Sequence, residues 1–467
     1  MAGAGYVARR LADRATARAV RRFRARVDRF KLTSKAYVRD TLLRDPAVIE
    51  AARAHAREHG VTAAAAMRRV RSYINEIVPY FNVLMYYEVG YEASRILLHL
   101  FYKVSVEQAD PDALRRLPKE SIVIYLFNHR SNVDYVLAGY ALAGHVTISY
   151  AVGEWARVSP LEYLFKSFGA YFIRRRYREP LYHTVLERYV QLITRNGVTQ
   201  GIFPEGGLSR DGAMRPPKIG LLDYVLGVAR EAGFAERMYV VPVALNYDRV
   251  LEDRTLLREL SADSTARRRG RLRATYSVGR YVGWSAGRLL TRRWKRYGHA
   301  AVTIGAPIAL RDWLTSRDEQ GRTIVELPSD ERLPEVQRLA DGVMREVGAL
   351  MPVTPVPLAC AALQSFPSDF VAREALLARM TELRDVLTDI NARVVRADRD
   401  IAEVFDRAYL MLHMRRVLAR TGDGYVVLAH GRELITYYAN SIAHLLGGYA
   451  DRVRARDALP AERWLAD

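Results

Sequence analysis

The sequence predicts an α/β domain set between two mostly helical stretches, and three observations support it. From residue 120 onward, short runs of β-branched and aromatic residues alternate with helix-sized segments. Several of these runs end in charged or imidazole side chains that a packed sheet does not require. On both sides of the region the apolar residues recur with helical spacing. The 467 residues are too many for one core, and the pattern divides them into 1–118, mostly helical, 119–311, α/β, and 312–467, again mostly helical.

The first stretch is rich in Ala and Arg. "DPAVIEAARAHAREHG" (45–60) reads as a helix closed by Gly60, because glycine tolerates the left-handed turn that ends helices. The N-terminal residues 1–31 carry Arg every few positions, so they read as a basic helix and not as an export signal. The most apolar window, residues 79–104, contains Glu88, Glu92 and Arg95, which argues against a spanning helix. The expected strands are "SIVIYLFNH", "HVTISYAVG", "GAYFIRR", "GVTQGIFPEGG", "RMYVVPVALNY" and "HAAVTIGAPI". Between them lie helical patterns such as "PLYHTVLERYVQLITRNG" and "KIGLLDYVLGVAREAG". Beyond about residue 311 no strand is expected, and "FVAREALLARMTELRDVLTDINARVV" reads as an amphipathic helix.

Charge narrows the partners. Lys and Arg number 72 against 52 Asp and Glu, a net +20, which suits anionic lipid, phosphorylated small molecules or nucleic acid. The single cysteine, Cys360, leaves no disulfide framework or thiolate metal cluster and points to a reducing compartment. No metal or other cofactor is expected.

Three strand ends carry the candidate chemistry. In "IVIYLFNHRSNVDYVLAGYAL" (122–142), an apolar run stops at His129, with Asp134 across a strand-to-helix turn. An imidazole accepts a proton near neutral pH, and a carboxylate beside it fixes the tautomer and supports the imidazolium. A plainer reading makes Ser131 or Asn132 a helix N-cap and Asp134 a partner of the helix dipole. In "GAYFIRRR" (169–176) a strand runs into guanidiniums, and Arg174 and Arg175 suit a phosphate. In "FPEGGLSRDG" (203–212) Glu205 precedes Gly206 and Gly207, whose backbone can approach an anion, with Ser209, Arg210 and then Lys218 beyond.

Taken together, these blocks and "VVPVALNYDRV" (240–250) resemble the glycerolipid acyltransferase family: His-x-x-x-x-Asp, Gly-x-Phe-x-Arg, Phe-Pro-Glu-Gly and Val-Pro-Val. "HRSNVDY" looks like the membrane-bound glycerol-3-phosphate 1-O-acyltransferases of bacteria, with dihydroxyacetone-phosphate acyltransferases close by. "VTPVPLACAAL" (353–363) and "ELITYYANSIAHLL" (433–446) extend the likeness over most of residues 70–446. It departs at Leu208, where an Arg is usual, and at Ala306, where a Glu is common.

The resemblance implies an acyltransferase domain with a mixed sheet flanked by helices. It also implies transfer of an acyl group from acyl-CoA or acyl carrier protein to the sn-1 hydroxyl of glycerol 3-phosphate. The product would be lysophosphatidic acid, at the first step of phospholipid synthesis. By the same resemblance His129 is the base supported by Asp134. Arg130, Ser131, Arg174, Arg175, Gly206, Gly207, Ser209, Arg210 and Lys218 serve the phosphorylated acceptor, and Glu205 binds a glycerol hydroxyl. Val241, Pro242 and Val243 lie near the acyl donor. A thioester is already activated, so no protein nucleophile is required.

"GWSAG" (283–287) matches a nucleophile elbow formally, but the Arg-rich residues before it are no buried strand. Residues 267–297 hold eleven Arg or Lys and no acid, with Tyr281, Trp284, Trp294 and Tyr297 interleaved. This is the composition of a helix lying on an anionic membrane surface, and the expected location is the cytoplasmic face of the cell membrane, peripheral or monotopic. Nucleic acid is the rival partner. It is rejected because it leaves His129, Asp134 and Glu205 without a purpose.

Overall fold

The computed structural model describes residues 34–81, 86, 90–143, 148–153, 161–174, 177–261, 296–318 and 320–448. Its main sheet contains β1 (Lys103–Gln108), β2 (Ile122–Phe127), β3 (Ser149–Gly153), β4 (Tyr171–Ile173), β5 (Gln200–Ile202), β6 (Met238–Tyr247), β7 (His299–Ile304) and β8 (Ile308–Ala309). The strand order is β1-β7-β6-β2-β5-β3-β4, with β8 also on β6. Pairing is parallel except where β7 and β8 meet β6. The sheet is therefore mixed, as expected.

β2 shows why the apolar run has no polar alternation. All six of its residues are buried, because helices cover both faces of the sheet. Ile122, Ile124 and Leu126 join one apolar cluster with the helices Pro46–His59, Ala63–Ile77 and Pro180–Arg195. Val123, Tyr125 and Phe127 join the opposite cluster with the helices Pro355–Gln364, Arg373–Asp389, Ile401–Met414 and Gly431–Asn440. The strand period of two thus assigns alternate side chains to two different helical layers, one on each face of the sheet. The helix Pro46–His59 starts at the expected place, with Asp45 accepting from Ala47 N and Val48 N, and Gly60 closes it at φ 62°.

Pro242 lies inside β6, where a missing N–H would normally break a ladder. Its neighbour on that side passes from β7 to β8 here, and its carbonyl accepts from Gly305 N at 2.9 Å.

Three expectations are corrected. β1 forms within the stretch expected to be helical; it pairs with β7, and "KVSVEQ" is too short and polar to read clearly as a strand. Strands also continue beyond residue 311. β9 (Phe370–Ala372), β10 (Leu418–Thr421) and β11 (Gly424–Val427) make a small antiparallel sheet in the order β10-β11-β9, with Gly422 at φ 56° in the tight hairpin.

The third correction concerns the cell-membrane location. Among the described residues no helix is long and apolar enough to cross a membrane. Within residues 79–104 the helix Tyr91–Phe101 has only 11 residues, about 16 Å at 1.5 Å per residue, roughly half a hydrocarbon core. Lys103 then enters β1. The basic aromatic segment behind that expectation lies outside the described residues up to residue 295, as do residues 1–33 and "GWSAG".

Candidate active site

β5, β2 and β6 lie side by side and parallel, so the segments that follow them leave the sheet at one edge. Loops at the carboxyl ends of parallel strands are where α/β folds gather polar side chains. Asn128, the first residue after β2, locks this edge with its side-chain amide. It donates to Leu245 O at 2.9 Å and accepts from Leu245 N at 2.8 Å.

His129 and Asp134 meet as the sequence predicts. Asp134 Oδ2 lies 2.9 Å from His129 Nδ1 and accepts from Arg130 N at 2.7 Å and Ser131 N at 3.0 Å. Tyr247 donates to the other oxygen, Oδ1, at 2.6 Å. Asp134 is fully buried and His129 is 1% exposed. A carboxylate only accepts, so Nδ1 carries the proton, and Nε2 is the basic nitrogen, with no partner among the described residues. Phe203 and Tyr135 hold the imidazole, with ring centroids 4.4 and 5.4 Å away.

The plainer N-cap reading fails. The helix Asp134–Leu142 has Val133 at its N-cap position with no side-chain cap. Ser131 instead donates to Glu252 Oε2 at 2.7 Å, and Asn132 donates to Glu252 Oε1 through its backbone and its amide, each at 3.1 Å.

Glu205 reaches the turn from the loop after β5. It accepts His129 N at 2.9 Å and Arg215 N at 3.3 Å and is 1% exposed. Burial pushes its carboxyl up to about 8, against the opposing pull of those two N–H groups and of the Arg130 guanidinium. Gly206, at φ +66°, lets the exposed Lys218 lie across it: a Cβ there would stand 2.8 Å from Lys218 Cδ. Gly207 continues the same loop. Ser209 braces it from within, its N donating to His129 O at 3.0 Å and its hydroxyl to Ala213 O at 2.7 Å. Arg210 stands 3.6 Å from Glu259 and is partly exposed.

Arg130 is the unusual cation. It is 2% exposed, its Nη1 donates to Gly212 O at 2.5 Å, and its guanidinium sits 5.4 Å from the Tyr437 ring centroid. Its Nε and Nη2 are buried and have no partner among the described residues. Buried donors without acceptors cost free energy, and an anion arriving beside them would remove that cost.

Other expected residues stand apart. Arg174 already has a partner: its Nε and Nη2 bond Glu76 at 2.8 and 2.6 Å, and it packs over Tyr177. It follows β4, three strand positions from β2 and so about 14 Å away at roughly 4.8 Å per strand. Arg175 lies outside the described residues. Val241, Pro242 and Val243 are buried within β6.

Sequence reasoning passed over Tyr247, Glu252, Asn128 and Tyr437. A signal for Tyr247 existed, since Val241, Val243, Leu245 and Tyr247 alternate along β6 and end with a hydroxyl at the functional edge.

The comparisons give the class first. Residues 111–246 match the family model described as Acyltransferase, the span that carries the His–Asp turn and the Glu205 loop. Residues 285–448 match a second model, the glycerol-3-phosphate acyltransferase C-terminal region, which bears out the resemblance more particularly. The chain is similar to a glycerol-3-phosphate acyltransferase of Aeromonas hydrophila, 27% identical over 426 residues, covering 89% of this chain and 50% of that protein. One from Xanthomonas campestris is also 27% identical, covering 91% of this chain and 47% of that protein. The chain thus spans about half the length of the curated relatives it matches. The solved structure of a 1-acyl-sn-glycerophosphate (LPA) acyltransferase from Thermotoga maritima matches 56% of this chain and 79% of that one, at 19% identity and a TM-score of 0.30.

Proposed function

We propose that this chain transfers a fatty acyl group from an acyl thioester, acyl-CoA or acyl carrier protein, to the sn-1 hydroxyl of glycerol 3-phosphate, giving lysophosphatidic acid. The observation that carries this reading is the buried His129–Asp134 pair, with Nε2 unpartnered among the described residues. Nε2 removes the hydroxyl proton as the oxygen attacks the thioester carbonyl, and Asp134 supports the imidazolium that forms. The tetrahedral adduct then expels the thiolate, which takes the proton from His129. One C–O bond forms, one C–S bond breaks, and the base is restored.

The acceptor's phosphate is met by Nε and Nη2 of Arg130, which have no partner among the described residues, with Arg210 and Lys218 on the loop after β5 completing the positive rim. Arg174 reaches it only by exchanging Glu76. Glu205 fixes the His129 backbone to that loop, and with one N–H group on each oxygen it keeps acceptor capacity for a glycerol hydroxyl. Val241, Pro242 and Val243 back the site from inside the sheet.

The test supplies labelled acyl-CoA or acyl carrier protein thioester to purified protein with glycerol 3-phosphate or dihydroxyacetone phosphate in turn. Acylation of glycerol 3-phosphate by the wild type, lost in a folded His129→Ala variant, is the expected result. Undiminished turnover by His129→Ala overturns the mechanism, and acylation of dihydroxyacetone phosphate alone overturns the acceptor.

A further inference from the structure

We propose that Tyr247 is a positioning residue for this reaction: its phenol, bonded to Asp134, sets how strongly that carboxylate supports a proton on His129. The inference rests on the function proposed above and adds a residue to it.

Asp134 receives four donors, and their division between its oxygens is informative. Three converge on Oδ2: His129 Nδ1 and the backbone N–H groups of Arg130 and Ser131. Among the described residues Tyr247 alone donates to Oδ1, at 2.6 Å. It therefore anchors the carboxylate from the side opposite the imidazole and sets the share of negative charge that remains for it.

The phenol is held rigidly. Tyr247 is fully buried and paired with Ala300 across β6 and β7, and its N–H bonds its neighbour Asn246 Oδ1 at 3.0 Å. Tyr102 packs behind it with ring centroids 5.6 Å apart and sends its own hydroxyl to Arg249 O. Burial, and then the nearby Asp134 charge, keep the Tyr247 phenol well above its ordinary range, so it remains a donor at any working pH.

The other groups facing the pair stay in place when Tyr247 changes. They are Arg130 in the turn, Glu205 after β5, Glu252 beyond β6, Tyr437 on the helix Gly431–Asn440, and Tyr135 beside the imidazole.

Tyr247→Phe removes the Oδ1 donor and keeps the ring. Asp134 becomes the stronger acceptor toward His129, so a proton on the imidazole is better supported in the variant than in the wild type. The acid limb of kcat/KM should move to higher pH by about 0.5–1 unit, a fraction of the about 1–2 units that a whole hydrogen bond to a charged group is worth, since the lost bond acts on the imidazole only through Asp134. With one of the four bonds that orient the carboxylate gone, kcat should fall by about 10-fold while both KM values hold.

The experiment is a histidine-labelled NMR titration of wild type and Tyr247→Phe, with His129→Ala identifying the signal, run beside pH–rate profiles of the first two. An upward shift in both His129 titration and acid limb is expected. A folded Tyr247→Phe protein with neither shifted overturns the proposal. If that variant does not fold, replacing the Tyr247 phenol with its 3-fluoro analogue, a stronger donor, should shift the titration downward, and an unmoved titration there overturns it equally. The titration needs no turnover, so a wild type without acyltransferase activity defeats the proposed function while the Tyr247 result stands separately.

Discussion

Asp134→Asn removes a charge from the proposed catalytic turn and leaves most of its hydrogen bonds in place. The asparagine carbonyl can occupy the Oδ2 position and accept the same N–H groups of His129, Arg130 and Ser131. Its NH2 then faces the Tyr247 hydroxyl, which rotates to accept. What is lost is the attraction between the carboxylate and the imidazolium that forms during reaction. With charge centres about 4 Å apart and an effective dielectric of about 20, that attraction is roughly 4 kcal/mol. At about 1.4 kcal/mol per decade, kcat should fall about 10³-fold, within the about 10²–10⁴ typical of a positioned base. The assay is the initial rate at saturating thioester and glycerol 3-phosphate, with melting followed by circular dichroism. A loss below about 10-fold in a protein of unchanged melting temperature would refute the role given to the carboxylate.

Other substitutions test the surroundings. Arg174→Ala should remove the guanidinium that bonds the buried Glu76 and cost about 1–3 kcal/mol, less than for a fully buried pair because the guanidinium is partly exposed; a raised KM for glycerol 3-phosphate with unchanged melting would return Arg174 to the phosphate. Gly212→Ala, at φ +89° with its Cβ 1.8 Å from Tyr437 O, should push the loop off the helix Gly431–Asn440 and cost about 1–3 kcal/mol, and denaturant titration reads this directly. Glu205 has its folded pKa raised to about 8, so its contribution is greatest below its unfolded value and declines as pH rises toward 8. The wild type should therefore lose stability relative to Glu205→Gln between about pH 5 and 8, and parallel melting curves across that range would contradict the raised pKa.

How much was legible in the sequence depends on the range of the interaction. The apolar run of β2 ending at His129 follows from local composition, and so does Asp134, because a strand-to-helix turn brings residues five apart together. The six expected strand segments each contain a strand of the main sheet, since short apolar blocks between helical patterns have few other uses. Gly60 closed its helix because left-handed closure is a property of one residue.

What only the tertiary structure decided lies in contacts between distant segments. Glu252 meets Ser131 and Asn132 across about 120 positions, Tyr247 meets Asp134 across 113, and Tyr437 covers Arg130 from another helix altogether. Arg174 and Arg130 are both arginines beside apolar runs, and composition could not tell which was already paired. Glu76 meets Arg174 from 98 residues away, while two buried nitrogens of Arg130 have no partner among the described residues. Strand order decides that difference: β5, β2 and β6 stand together and β4 lies at the far edge, and no single segment contains the information that sets that order.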